Sequence, residues 1–206
     1  MEVHNYGDKN SSNVIVQLVG QHELDFIESE IAYLNEKTGH DFCLLTFIVE
    51  DWNRDLSPWK AKAVFKGEDF GEGARETLEE ILLFLSDRDK NYYLCGYSLA
   101  GLFALWASFK TDIFTGIAAV SPSVWFPGFI DYMKERQIKA DKVYLSLGDK
   151  EEKTKNPIMS TVGDCIREAE EIVKSQGAKT TLEWNEGNHF RDVDIRVSKG
   201  IAWLLN

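Results

Sequence analysis

Between Leu94 and Gly101 the chain reads Leu-Cys-Gly-Tyr-Ser-Leu-Ala-Gly. An apolar, strand-like run passes through a serine flanked by small residues and enters a helix whose residues are apolar almost all round. A strand that turns this sharply into a helix forces its central residue into strained backbone geometry, so the close neighbours must be small. The turn lifts the central side chain out of the sheet at the helix N-terminus. Ser98 is the residue so presented, and the Leu99 backbone N–H beside it can face a developing negative charge. The plainer reading is a serine capping an ordinary βα turn; the strand before it and the helix after it favour the first.

The rest of the chain suits such a turn. Apolar patterning switches repeatedly between short β-rich runs and longer amphipathic stretches, which is how βαβ units around a buried parallel sheet look in sequence. The expected strands are Asn13 to Val19, Phe42 to Val49, Tyr92 to Cys95, Gly116 to Val120, Lys142 to Leu147 and Thr180 to Trp184. The expected helices are Asp25 to Glu36, Gly73 to Leu85, Leu99 to Phe109, Pro127 to Arg136, Ile158 to Lys174 and Asp192 to Leu205. With 206 residues, 44 % of them hydrophobic, the chain can bury one substantial core, and a single domain over 1–206 is expected. The connection from Glu50 to Phe70 holds Trp52, Pro58, Trp59 and Gly67 without a clean period, and irregular loops of that length are often functional.

Charge and composition narrow the partners. A net charge of −11 argues against a nucleic-acid backbone, which draws on a clustered basic face. The only basic density, Lys60, Lys62 and Lys66, is interrupted by Val64 and Phe65 and reads as a solvated loop. No basic leader or long apolar run appears, so the expectation is a cytoplasmic protein without a membrane partner. Cys43, Cys95 and Cys165 are odd in number and lack CxxC spacing, which indicates neither disulfides nor a metal site.

A serine hydroxyl needs a base to become a nucleophile, and the chain offers four histidines. His4 lies near an end expected to fray, and His40 follows Gly39 in a helix-to-strand turn. His189 lies in Asn-Glu-Gly-Asn-His-Phe, a polar loop after the last strand and before the terminal helix, where a serine, acid, histidine chain order puts the base. The acid is then sought after the fifth strand, where Leu-Gly-Asp-Lys-Glu-Glu supplies Asp149, Glu151 and Glu152.

Three motifs now converge: Gly96-Tyr97-Ser98-Leu99-Ala100-Gly101, Val120-Ser121-Pro122-Ser123-Val124-Trp125, and Gly187-Asn188-His189-Phe190. With them, the chain resembles the esterase family that includes enterobactin esterases and esterase D, a branch of the α/β-hydrolase superfamily. The likeness spans about Asn13 to Leu205. The resemblance implies a three-layer α/β fold, trimmed to a mostly parallel sheet of about six strands with helices on both faces. The dozen residues before Asn13 leave little room for the two leading strands of the full fold, and no insertion is long enough for a separate lid domain.

The same resemblance implies hydrolysis of an ester or related acyl bond of a small molecule, without metal or organic cofactor. It selects Glu151, three positions past the small residue at its strand end, with Asp149 and Glu152 as alternatives. It also places a second oxyanion donor after the first strand, at Gln21 or else His22. Trp125 is implied near the substrate, with Tyr97, Trp52 and Trp59 as further walls and Arg54 as a candidate for a substrate anion. The tryptophans could equally be core residues, and Arg54 could pair with Asp51 or Asp55. Two other functions fit the same chain: a small-ligand binding protein on this scaffold, or an acyltransferase or thioesterase using the same three side chains. Oligomeric state is not legible.

Overall fold

Alternate residues of the second strand bury on opposite sides of a sheet: Val14, Val16 and Leu18 join one core cluster, while Ile15 and Val19 join another. A strand covered on both faces must be apolar nearly throughout, and this one is. The computed structural model describes residues 1–39, 41–64 and 67–206. His40, Phe65 and Lys66, considered above, lie outside the described residues.

Among the described residues seven strands are present: β1 (Glu2–Gly7), β2 (Asn13–Val19), β3 (Cys43–Ile48), β4 (Asn91–Tyr97), β5 (Phe114–Val120), β6 (Lys142–Gly148) and β7 (Lys179–Asn185). They form one sheet in the order β1-β3-β2-β4-β5-β6-β7. All neighbouring pairs are parallel except β1 with β3. The helices are α1 (Ile27–Thr38), α2 (Trp52–Asp55), α3 (Ala74–Leu82), α4 (Leu99–Ser108), α5 (Phe129–Lys134), α6 (Val162–Ser175) and α7 (Val193–Leu205). Residues of α3, α4, α5 and α6 pack in one apolar cluster and those of α1 and α7 in the other. This is the three-layer arrangement of the α/β hydrolases. All ten residues of α4 are buried, so truncating one of its leucines to alanine would cost about 2–5 kcal/mol.

β1 is additional to the six strands expected from the sequence. That segment pairs antiparallel with β3, Val3 opposite Phe47 and His4 opposite Thr46, and closes the sheet edge with a polar strand. His4 is therefore held in an edge strand and is not part of a frayed end; its ring contacts the Glu2 carboxylate and the Tyr6 hydroxyl. Within the long connection Asp51 caps α2 by accepting the Arg54 amide at 3.0 Å. Lys60 and Lys62 pair with Glu72 and Asp69 at the surface. Cys43 and Cys95 are buried, Cys165 is half-buried, and all three are free thiols. Among the described residues no helix is long and apolar enough to cross a membrane.

Strand order places the site. From β2 the chain moves outward to β3, then crosses back to β4 on the other side of β2. Connections leaving the C-terminal ends of β2 and β4 therefore run in opposite directions and open a crevice between them, the position where ligands bind in open α/β sheets. Gly20 and Gln21 follow β2 there, and Ser98 follows β4.

Candidate active site

Ser98 stands between β4 and α4 with φ 57° and ψ −118°, a conformation that L-residues other than glycine rarely adopt. Strain of this kind costs about 1–3 kcal/mol and persists only where its surroundings enforce it. Here the Ser98 amide donates to the Val120 carbonyl at 3.0 Å, and the Ser98 carbonyl accepts from Leu102 at 3.1 Å and Ser123 at 3.0 Å. Gly96 permits the tight approach of strand and helix, since a Cβ on it would stand 2.3 Å from the Ala100 carbonyl oxygen.

From this serine a run of hydrogen bonds leads inward. His189 Nε2 lies 3.0 Å from Ser98 Oγ, and His189 Nδ1 lies 2.7 Å from Glu151 Oε2. The other carboxylate oxygen, Oε1, accepts from the Gly148 amide at 2.7 Å, the Ser121 hydroxyl at 2.8 Å and Arg196 Nη1 at 3.1 Å. Burial works to raise the Glu151 carboxyl, but its bond to His189, the charge interaction there, and the Gly148 and Ser121 donors outweigh it and hold the group below the usual glutamate range.

Of the three carboxylates after β6, Glu151 alone reaches the histidine ring. Asp149 Oδ1 accepts the Gly187 amide at 2.7 Å, and that backbone bond holds its carboxyl below the ordinary value. It braces the His189 loop, together with the Asp149 amide on the Asn185 carbonyl and the Lys150 amide on the Gly187 carbonyl. Glu152 pairs with Arg167 at 3.5 Å. In the Val120 to Trp125 motif the Ser121 hydroxyl donates to Glu151, and the Ser123 backbone amide donates to the Ser98 carbonyl.

Two clefts meet at Ser98. One, of about 540 Å³, has Trp52, Phe70, Trp125, Met159 and Val162 among its walls and also touches Lys150 and Lys153. The other, of about 810 Å³, is bordered by Gln21, His22, Glu23, Ile48 and Tyr97. Trp52, Ser98, His189 and Phe190 line both. Leu99 opens α4, so its N–H has no acceptor within the helix. Gln21 and His22 begin a 3-10 turn over Gln21–Phe26, both exposed on the second cleft.

Two expected pocket residues are elsewhere. Arg54 lines neither cleft; it lies on the surface within 3.4 Å of Asp55 and 3.6 Å of Glu76. The sequence spacing placed it in the right loop, but the one-turn helix α2 directs it toward α3. Trp59 packs against Phe126, Phe129 and Tyr132, and its indole donates to the Pro127 carbonyl at 3.0 Å. Its indole N–H and aromatic neighbours are satisfied by protein, as a core-edge tryptophan's are. Two residues not expected from the sequence join the site: Arg196, buried behind Glu151, and Phe190, 84 % exposed beside His189.

No family model matches the sequence, and no curated protein matches it. Solved structures do. An IroE-like serine hydrolase from Shewanella oneidensis superposes with a TM-score of 0.80 at 18 % identity, over 98 % of this chain and 75 % of that one. The siderophore hydrolase EstA from Aspergillus nidulans gives 0.72 at 19 % identity, over 97 % and 85 %. The enterobactin esterase FES from Shigella flexneri gives 0.67 at 13 % identity, over 98 % of this chain and 54 % of that one. At these identities the likeness establishes the fold, which is that of the α/β hydrolases.

Proposed function

We propose that the protein is a serine hydrolase that cleaves an ester or related acyl bond of a small molecule through an acyl-enzyme. The observation that carries this reading is the continuous run from Ser98 Oγ through His189 to the buried Glu151, opening where two clefts meet.

In this reading Ser98 Oγ attacks the substrate carbonyl while His189 Nε2 takes the hydroxyl proton. The Leu99 amide, with that of Gln21 or His22, donates to the tetrahedral oxyanion; such a donor is worth about 3–4 kcal/mol in comparable sites. The C–O bond to the leaving group then breaks, and His189 returns the proton to the departing alcohol. Water next attacks the acyl-enzyme, losing its proton to His189, and the acid leaves as Ser98 regains its hydrogen. Glu151 stays ionised throughout, fixing the ring with Nε2 toward Ser98 and stabilising the imidazolium. The neutral ring must then carry its proton on Nδ1, donating to Glu151.

Solved structures with this fold include a serine hydrolase, a siderophore hydrolase and an enterobactin esterase. Aromatic walls in the first cleft suit an ester bearing an aromatic group, and aryl esters are the substrates to try first. The test is stopped-flow hydrolysis of a chromogenic aryl ester. A burst of one phenolate per protein followed by slower turnover, absent in Ser98→Ala and reduced by at least ~10³ in His189→Ala, is expected. Equal turnover by folded Ser98→Ala would end the reading.

A further inference from the structure

Arg196 lies on α7 with only 1 % of its side chain exposed. A guanidinium taken out of water at such a place is costly unless it is paired, and an apolar side chain of similar volume would fill the space without that cost. Its partners belong to four separate segments. Nη1 donates to Glu151 Oε1 at 3.1 Å and stands 3.3 Å from both the Tyr97 and Ser121 hydroxyls. Nη2 donates to the carbonyls of Glu186 at 3.2 Å and Asn188 at 3.1 Å. One side chain thus ties the acid to the loop that carries the base, and to the residue preceding the serine.

The charge matters as well as the ties. A buried carboxylate facing an imidazole favours the imidazolium, which cannot act as a base. A fixed cation on the far oxygen of that carboxylate offsets part of its field while leaving Oε2 to orient the ring. Other titratable groups around α7 have partners of their own. Asp194 accepts from Ser29 of α1, Lys199 pairs with Glu183 of β7, Tyr144 of β6 donates to Glu183, Glu30 of α1 accepts from Gln17, and Arg191 pairs with Glu186 and Asp192. Within the network itself the titratable groups are Glu151, Tyr97 and His189.

We propose that Arg196 is a positioning residue that locks the acid and base loops together and, as a fixed cation on the far carboxylate oxygen, offsets part of the Glu151 charge that faces His189. This rests on the reading of Ser98 and His189 as nucleophile and base. The test is the pH dependence of kcat/KM for an aryl ester in wild type, Arg196→Met, Arg196→Gln and Arg196→Lys, with a thermal melt at each pH. The acid limb reports the free enzyme's base.

In Arg196→Met and Arg196→Gln the limb is expected to move to higher pH. In Arg196→Lys, which keeps the charge, it stays near the wild-type position while kcat falls. Should Arg196→Met not fold, Arg196→Gln, whose amide keeps a donor, carries the comparison. A uniform loss of rate with the limb unmoved assigns Arg196 a purely structural role and overturns the proposal alone. No turnover by folded wild type overturns the parent reading instead.

Discussion

The Tyr97 hydroxyl donates a 2.6 Å hydrogen bond to the carbonyl of His189, so the residue before the turn serine holds the backbone of the histidine loop. Ring centroids of the two side chains are 5.2 Å apart. Burial pushes the phenol above its ordinary value, which keeps the hydroxyl a donor across the working pH range. Tyr97→Phe keeps the ring and loses the bond. It is expected to lower stability by about 0.5–1.5 kcal/mol and to reduce kcat more than KM changes. Thermal melts alongside steady-state kinetics check both, and unchanged kcat would show that the loop is held well enough without it.

At the end of β6, Gly148 allows no side chain. A Cβ there would lie 2.4 Å from the Gly187 carbonyl oxygen and 2.9 Å from Glu151 Oε1. Gly148→Ala must therefore part the acid loop from the histidine loop. Activity is expected to fall at least ~10²-fold, the scale seen when catalytic groups shift by about 1 Å. A crystal structure or kinetic assay of this variant checks it; wild-type turnover would contradict the close fit.

Acid should weaken the same network. Glu151 is held below the usual glutamate value of 4.5, so its stabilisation is fully present above that pH and is lost as pH falls through the lower folded-state value. Melting temperatures of wild type and Glu151→Gln measured from pH 7 to pH 3 should converge at the acid end. A gap independent of pH would show that the carboxylate charge contributes nothing to the fold.

Glu30 predicts the opposite trend. Burial, opposed by the Gln17 hydrogen bond, pushes its carboxyl up to about 8. Between 4.5 and about 8 the folded chain keeps a proton that the unfolded chain has released, so this group makes stability fall with rising pH, by up to about 1.4 kcal/mol per unit. Glu30→Gln should remove that slope and gain on wild type as pH rises to 8. Parallel stability curves for the two proteins would refute the shift.

Periodicity carried most of the fold because the parallel strands are buried on both faces and therefore apolar. The edge strand β1 escaped it: Glu2, His4 and Asn5 leave only Val3 and Tyr6 as signals, and its order comes from pairing with β3. Loop chemistry singled out Ser98 and His189, and the resemblance singled out Glu151 among three nearby carboxylates; what sequence did not show is that the Gly187 amide occupies Asp149 and Arg167 occupies Glu152. Arg196 reads as one charge on an amphipathic helix, ordinarily solvated. Yet it falls among Val197, Gly200, Ile201 and Leu204, the buried positions of α7, and that spacing could have exposed it. Arg54 and Trp59 illustrate the converse, since loop membership alone does not say which way a side chain points.

An activated nucleophile at Ser98 reacts with a fluorophosphonate, and peptide mass spectrometry of the treated protein locates the adduct. A single phosphonyl adduct on Ser98 is expected, absent from Ser98→Ala and formed far more slowly in His189→Ala. Folded wild-type protein that stays unlabelled, or that carries the adduct on another residue, would contradict it.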